Sequence, residues 1–139
     1  MITTLSQLAA MAESHNNPNA VRFEPAFKPS TLAIANCAKA NQCNLTTAKI
    51  ICAMSWGKYQ IMGEEIYRRG LWTGPIAALV ANVGAFDSIF VKFITAKGIN
   101  YSLADILNDE AKRNNYAHLY NGNAAAYGPY LLQVYKENQ

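Results

Sequence analysis

Long apolar runs are missing from this 139-residue chain. Nothing approaches the ~18 to 20 consecutive apolar residues that span a bilayer, which excludes a helical integral membrane protein. Cysteine is scarce: Cys37, Cys43 and Cys52, an odd count separated by five and eight residues. That spacing fits neither a zinc ligand set nor a complete disulfide framework, so the thiols read as small buried hydrophobes. With only His15 and His118 as histidines, no metal site and no cofactor are expected. Charge is sparse too. The net charge is +3, the 12 Lys and Arg side chains are dispersed, and the densest groupings are the adjacent pairs Arg68–Arg69 and Lys112–Arg113. A nucleic-acid binder concentrates its cations in a stripe, so nucleic acid is not the expected partner. A mild positive bias fits an anionic polymer. The opening Met1–His15 segment lacks the basic and continuous apolar regions of a Sec signal.

Apolar residues are plentiful, at 51% of the chain, which is enough for a packed core and argues against disorder. The length suits one domain over 1–139, with a monomer as the expected state. Helical punctuation dominates. Thr3 or Thr4 can cap a helix whose apolar face is Leu5, Leu8, Ala9 and Ala12, ending between Glu13 and Asn17 ahead of Pro18. Residues 18–30, with three prolines, read as an extended element or small β-hairpin. Helices are predicted over 31–40, over 45–54 behind an Asn44 cap, and over 58–69 between Gly57 and Gly70. Pro75 suits the first turn of a helix carrying Ile76, Leu79, Val80 and Val83. Further helices are expected over 86–97, from Asn108 or Asp109 to Leu119, and from Asn123 through Tyr135, with a short turn after Ser102. The fold class is mainly α, with a small β-hairpin or extended element near 18–30.

Three clusters could carry chemistry. Glu13 falls where an apolar helix meets a loop. A carboxyl set against core there has its charged form disfavoured, and a protonated carboxyl is what a general acid needs. Glu24, between Phe23 and Pro25, is a second candidate carboxylate, because glycosidases pair two carboxyls across the scissile bond. The stretch Ser55–Gly63 packs Trp56, Tyr59 and Gln60 between two glycines. Aromatic faces suit sugar rings, and an amide can bond a sugar's N-acetyl group. The third cluster is Tyr116–Gly122 with Tyr127, Tyr130 and Tyr135 beyond it. Tyr120–Asn121–Gly122 reads as a helix end. Tyr130 and Tyr135 read as packing residues, while Tyr127 fits packing and a substrate platform equally.

In order, these clusters resemble the lysozyme-like superfamily. Glu13–Ser14 and Asn17–Pro18–Asn19–Ala20–Val21 are similar to the Glu–Ser and Asn–Pro–x–Ala–Val stretch of soluble lytic transglycosylases. Gly57–Gly63 resembles their Gly–Leu–Met–Gln–Ile–Met–Pro, and Tyr120–Asn121–Gly122 their Tyr–Asn–Ala–Gly. The N-acetylmuramidase domain of phage endolysins resembles the chain more closely still. It carries Glu–Ser, Phe–Glu–x–x–x–Phe, Ser–Trp–Gly–x–x–Gln–Ile–Met–Gly and Tyr–Asn–Gly in sequence; these appear here as Glu13–Ser14, Phe23–Phe27 (one residue shorter than the pattern), Ser55–Gly63 and Tyr120–Gly122. Two departures stand out: His15–Asn16 replaces the family's usual Gly–Gly, and Lys28–Met54 is a shortened segment.

The resemblance implies a lysozyme-like α+β domain that cleaves the β-1,4 bond between N-acetylmuramic acid and N-acetylglucosamine in peptidoglycan. Glu13 would be its general acid and Glu24 a candidate second catalytic residue. Ser14, Tyr59, Gln60, Met62, Tyr120, Asn121 and Tyr127 would contact or line the substrate cleft. The partner would be the bacterial glycan strand, met at the periplasmic cell wall by a phage endolysin or a virion component. Water as the acceptor would make a hydrolase, and the muramic acid 6-hydroxyl a lytic transglycosylase. A non-catalytic wall-binding or structural protein on the same fold is a third reading.

Overall fold

The computed structural model describes residues 1–139 and is mainly helical, with one small sheet. Helix α1 (Leu5–Ser14) begins at a capping box, in which the Thr4 hydroxyl accepts from the Gln7 amide and the Gln7 side chain accepts from the Thr4 amide. It stops at His15, which is left-handed with φ 53°. Strand β1 (Val21–Phe23) follows, then α2 (Thr31–Asn41), capped by Ser30, and α3 (Leu45–Cys52), capped by Asn44. Strands β2 (Met54–Trp56) and β3 (Ile61–Met62) lead into α4 (Gly63–Arg68). The remainder is α5 (Ile76–Ala81), α6 (Ala85–Ala96), α7 (Leu103–Asn108), α8 (Glu110–Asn121) and α9 (Ala124–Glu137).

The sheet bears out one local expectation and corrects two. Residues 18–30 hold the extended element, a single strand and not a self-contained hairpin. Its partner is distant: β1 pairs antiparallel with β2, Val21 opposite Trp56 and Phe23 opposite Met54. The hairpin is β2–β3, with Trp56 opposite Ile61. The helix expected over 45–54 therefore ends at Cys52, and the one expected over 58–69 starts only at Gly63. Pairing with β1 satisfies backbone groups that a helix would otherwise have bonded locally. Pro75 is the N-cap of α5, one residue before its first turn, and Val83 lies past the helix end. The turn expected after Ser102 is a full helix with its own capping box.

Two hydrophobic clusters fill the interior. One gathers α2 to α6 and the sheet around Cys37, Cys52, Ile66, Leu79, Phe86 and Ile89. The other joins α1 to α7, α8 and α9 around Leu8, Ile106, Tyr116, Tyr127 and Leu131. Ile94 and Tyr120 pack against both. Every cysteine is a free thiol, and Cys37 and Cys52 are fully buried.

Two glycines set how tightly the hairpin seats. A Cβ on Gly63 would collide with the Ile51 carbonyl oxygen and with the Cys52 backbone. Gly57 has φ +74°, and the Phe86 ring occupies the space of its missing Cβ at 2.7 Å. Both positions bring β2 and β3 against neighbours closer than any other residue permits.

Candidate active site

Glu13 sits in the last turn of α1, half-buried. The Tyr127 hydroxyl, from α9, donates to its Oε2 at 2.7 Å. Burial raises the Glu13 carboxyl above its ordinary value. The Tyr127 hydrogen bond and the nearby Arg22 guanidinium oppose that rise without cancelling it. The phenols around it are held neutral: burial pushes Tyr116, Tyr120 and Tyr127 up, and the charge of Glu13 adds to each.

These phenols form a ladder beside the acid. The Tyr120 ring stacks on Tyr116 at 5.4 Å and lies parallel to Tyr127 at 6.4 Å. Tyr120 donates its hydroxyl to the Tyr59 carbonyl at 2.7 Å, which ties α8 to the hairpin. Tyr116 is fully buried and its hydroxyl has no hydrogen-bond partner. Tyr130 donates to the Ala12 carbonyl at 3.2 Å, giving α9 a second hold on α1 next to Glu13.

The loop after α1 is clamped to the hairpin. Ser14 Oγ donates to the Lys58 carbonyl at 2.8 Å and accepts from the Asn17 amide at 3.0 Å. The Gly57 amide donates to the Ala20 carbonyl at 2.8 Å. Gln60, itself left-handed with φ 51°, donates from Nε2 to Ala20 and Gly57 carbonyls. Ser14 and Gln60 thus spend their side chains on the wall of the site. His15 and Asn16 are both left-handed, φ 53° and 62°, at the two positions where the muramidase pattern places Gly–Gly. A left-handed backbone costs an L residue about 1–2 kcal/mol, and less for Asn than for His.

The other candidates divide between wall and surface. Tyr59 is buried, stacked on Phe90 at 4.3 Å, and donates to Asp87 Oδ1 at 2.5 Å. Lys58 completes that group with a 3.0 Å ion pair to Asp87. Burial works to raise the Asp87 carboxyl, but Tyr59 and Lys58 outweigh it and lower it. Met62 is half-buried, and its sulfur accepts from Ser55. Asn121, the last residue of α8, is exposed. Glu24 lies beyond β1, its Oε1 paired with Arg22 at 2.6 Å and its amide donating to the Ala53 carbonyl.

Glu13, Tyr127, Tyr120, Ser14 and the hairpin therefore belong to one connected assembly. Arg22 links Glu24 to it, through its ion pair with Glu24 and its electrostatic influence on Glu13. Three members of the neighbourhood carried little sequence signal. Arg22 stands alone on a short strand, Asp87 looks like any first-turn acid, and Tyr116 looks like plain core. No group of three or more His, Cys, Asp or Glu side chains converges where a metal could be held.

The chain is 32% identical, over 140 aligned residues, to a protein of Enterobacteria phage PRD1 described as "Endolysin". The match covers 94% of this chain and 93% of that protein. No family model matches, and no solved structure does.

Proposed function

The chain belongs to the phage endolysin family, and from that footing we propose that it is a peptidoglycan-degrading glycosidase with Glu13 as its general acid. The bond cut is the β-1,4 link between N-acetylmuramic acid and N-acetylglucosamine, and residues 1–139 act as one catalytic domain. The observation that carries this reading is the half-buried Glu13 carboxyl, held by Tyr127 at 2.7 Å and raised by burial from its ordinary value. A carboxyl that keeps its proton to higher pH than an ordinary one, in a fixed orientation, is suited to protonate a leaving oxygen.

Glu13 gives its proton to the glycosidic oxygen as the C–O bond breaks and the sugar takes on oxocarbenium character. Water then adds at the anomeric carbon and loses a proton to Glu24, leaving a reducing muramic acid. Glu24 Oε1 is engaged by Arg22, so Oε2 is the oxygen for that role. The hairpin backbone near Met62 and the exposed Asn121 face the glycan. Ser14, Tyr59, Gln60, Tyr120 and Tyr127 shape the site from behind it.

The Arg22–Glu24 pair also favours a second reading. A carboxylate committed to a guanidinium is a poorer base, and a lytic transglycosylase needs only one carboxylate. There the muramic acid 6-hydroxyl attacks, deprotonated by Glu13, and a 1,6-anhydro end results. Mass spectrometry of soluble products from purified peptidoglycan, with Glu13→Gln run in parallel, separates these outcomes. Reducing muropeptides support hydrolysis. Products lighter by one water support transglycosylation. Equal product from Glu13→Gln overturns the assignment of the acid.

The site of action under this reading is the bacterial cell wall, reached from within an infected host or carried by a virion. No helix is long and apolar enough to cross a membrane.

A further inference from the structure

One cavity shares no residue with the surroundings of Glu13. It holds about 490 Å³ between the C-terminal half of α2 and the loop joining α4 to α5, and Asn36, Lys39, Tyr67, Trp72, Thr73 and Pro75 are on its wall. That volume lies within the usual range of small-molecule clefts.

Its wall is built rigidly. Trp72 is half-buried and donates its indole N–H to the Pro75 carbonyl at 3.1 Å, and a Cβ on Gly74 would meet the same ring at 3.3–3.5 Å. The Tyr67 hydroxyl donates to the Gly74 carbonyl at 2.9 Å and accepts from Asn41 at 3.1 Å. Asn41 also accepts from the Ile76 amide at 2.7 Å, and Asn36 donates to the Tyr67 carbonyl at 3.1 Å. Burial pushes the Tyr67 phenol up to about 12, so it stays a donor across the physiological range. An aromatic held this way loses little freedom on binding.

The groups left over suit one kind of ligand. The indole N–H is consumed, so the ring offers the cavity an apolar surface. Lys39 is exposed and enters none of the chain's ion pairs. Asn36 keeps its carbonyl oxygen, and the Thr73 hydroxyl has no partner within the chain. An apolar ring face, a free ammonium and two short polar groups match a sugar ring that carries an anionic substituent. Peptidoglycan presents that combination, an amino sugar bearing a peptide with free carboxylates.

We propose that this cavity is a second binding site for the peptidoglycan strand, taking a sugar ring at Trp72 and a peptide carboxylate at Lys39. It rests on the peptidoglycan reading above. Two points of attachment on one polymer raise retention through effective concentration without any change at the cutting site.

The test uses the full chain carrying Glu13→Gln, and separately the chain with Glu13 intact. In the first, a disaccharide–tetrapeptide muropeptide is titrated while amide and indole resonances are followed. Saturable shifts at Trp72, Thr73 and Lys39 are expected, and the absence of shifts there overturns the proposal. Sedimentation with purified sacculi then compares Trp72→Ala and Lys39→Glu, the latter an exposed change that leaves packing intact. Each is expected to weaken retention about three- to tenfold, the loss typical of one aromatic or charged contact. Unchanged retention of both overturns the proposal. With Glu13 intact, both variants should cleave a short, soluble, peptide-free glycan of alternating N-acetylglucosamine and N-acetylmuramic acid at the parent rate. Failure of the glycosidase reading looks different: no product from the parent protein, with sacculus retention still lost on Lys39→Glu.

Discussion

The Tyr127 hydroxyl reaches Glu13 at 2.7 Å across 114 residues of sequence. This single contact gives the acid its orientation and moderates its proton affinity. Burial raises the carboxyl, and the phenol, by donating to the ionised form, holds that rise in check.

Replacing Glu13 by Gln removes the proton donor while keeping the size and polarity of the side chain. Glycan cleavage should fall by about 10²- to 10⁴-fold, the usual contribution of a positioned acid. Release of soluble fragments from purified peptidoglycan measures it.

The same substitution has a stability signature. Glu13 binds its proton more tightly folded than unfolded. That contribution is full below the unfolded carboxyl pKa and vanishes as pH rises through the folded one. Relative to the parent, Glu13→Gln should therefore gain melting temperature between acid and neutral pH. A difference that stays flat from pH 4 to pH 8 contradicts the raised carboxyl.

Tyr127→Phe deletes the donor and keeps the ring. The carboxylate loses stabilisation, so the Glu13 pKa climbs further, and the alkaline limb of the activity profile should move to higher pH. Arg22→Ala should shift the limb the same way, because its guanidinium also favours the charged carboxylate. Activity profiles between pH 4 and pH 9 decide both.

Gly63→Ala places a methyl group into the Ile51 carbonyl and the Cys52 backbone. No side chain can move aside to make room, so the hairpin and α4 must separate from α3. A loss of about 2–4 kcal/mol is expected from urea unfolding.

His15→Gly restores at one position the residue type that a left-handed turn prefers. With φ at 53°, relief of the backbone cost exceeds the added entropy of the unfolded chain. The variant should be about 0.5–1 kcal/mol more stable by the same method. Asn16→Gly should gain less, because Asn tolerates this region better than His.

Much of the helical frame was legible because its signals are local. Asn44, Ser102, Asp109 and Asn123 cap helices with their own side chains, as residues of their type do. The hairpin was not legible for the opposite reason. Ser55–Gly63 has glycines and apolar residues that a helix could also use, and its strand identity comes from Val21–Phe23, more than thirty positions earlier. The site divides along the same line. Glu13 stood out by its place at a helix end, and Tyr120 by its motif. The bond from Tyr127 joins the first helix to the last, and the Lys58–Asp87 pair crosses two elements, so no window of sequence holds either.

The 114 residues between Glu13 and Tyr127 bear on synthesis. A ribosome makes Glu13 well before the phenol that orients it. Until α9 has emerged and docked on α1, the carboxyl lacks its hydroxyl partner and stands open to water. A chain cut short before α9 therefore carries the carboxyl without its aim, and the orientation arrives with α9 in one step.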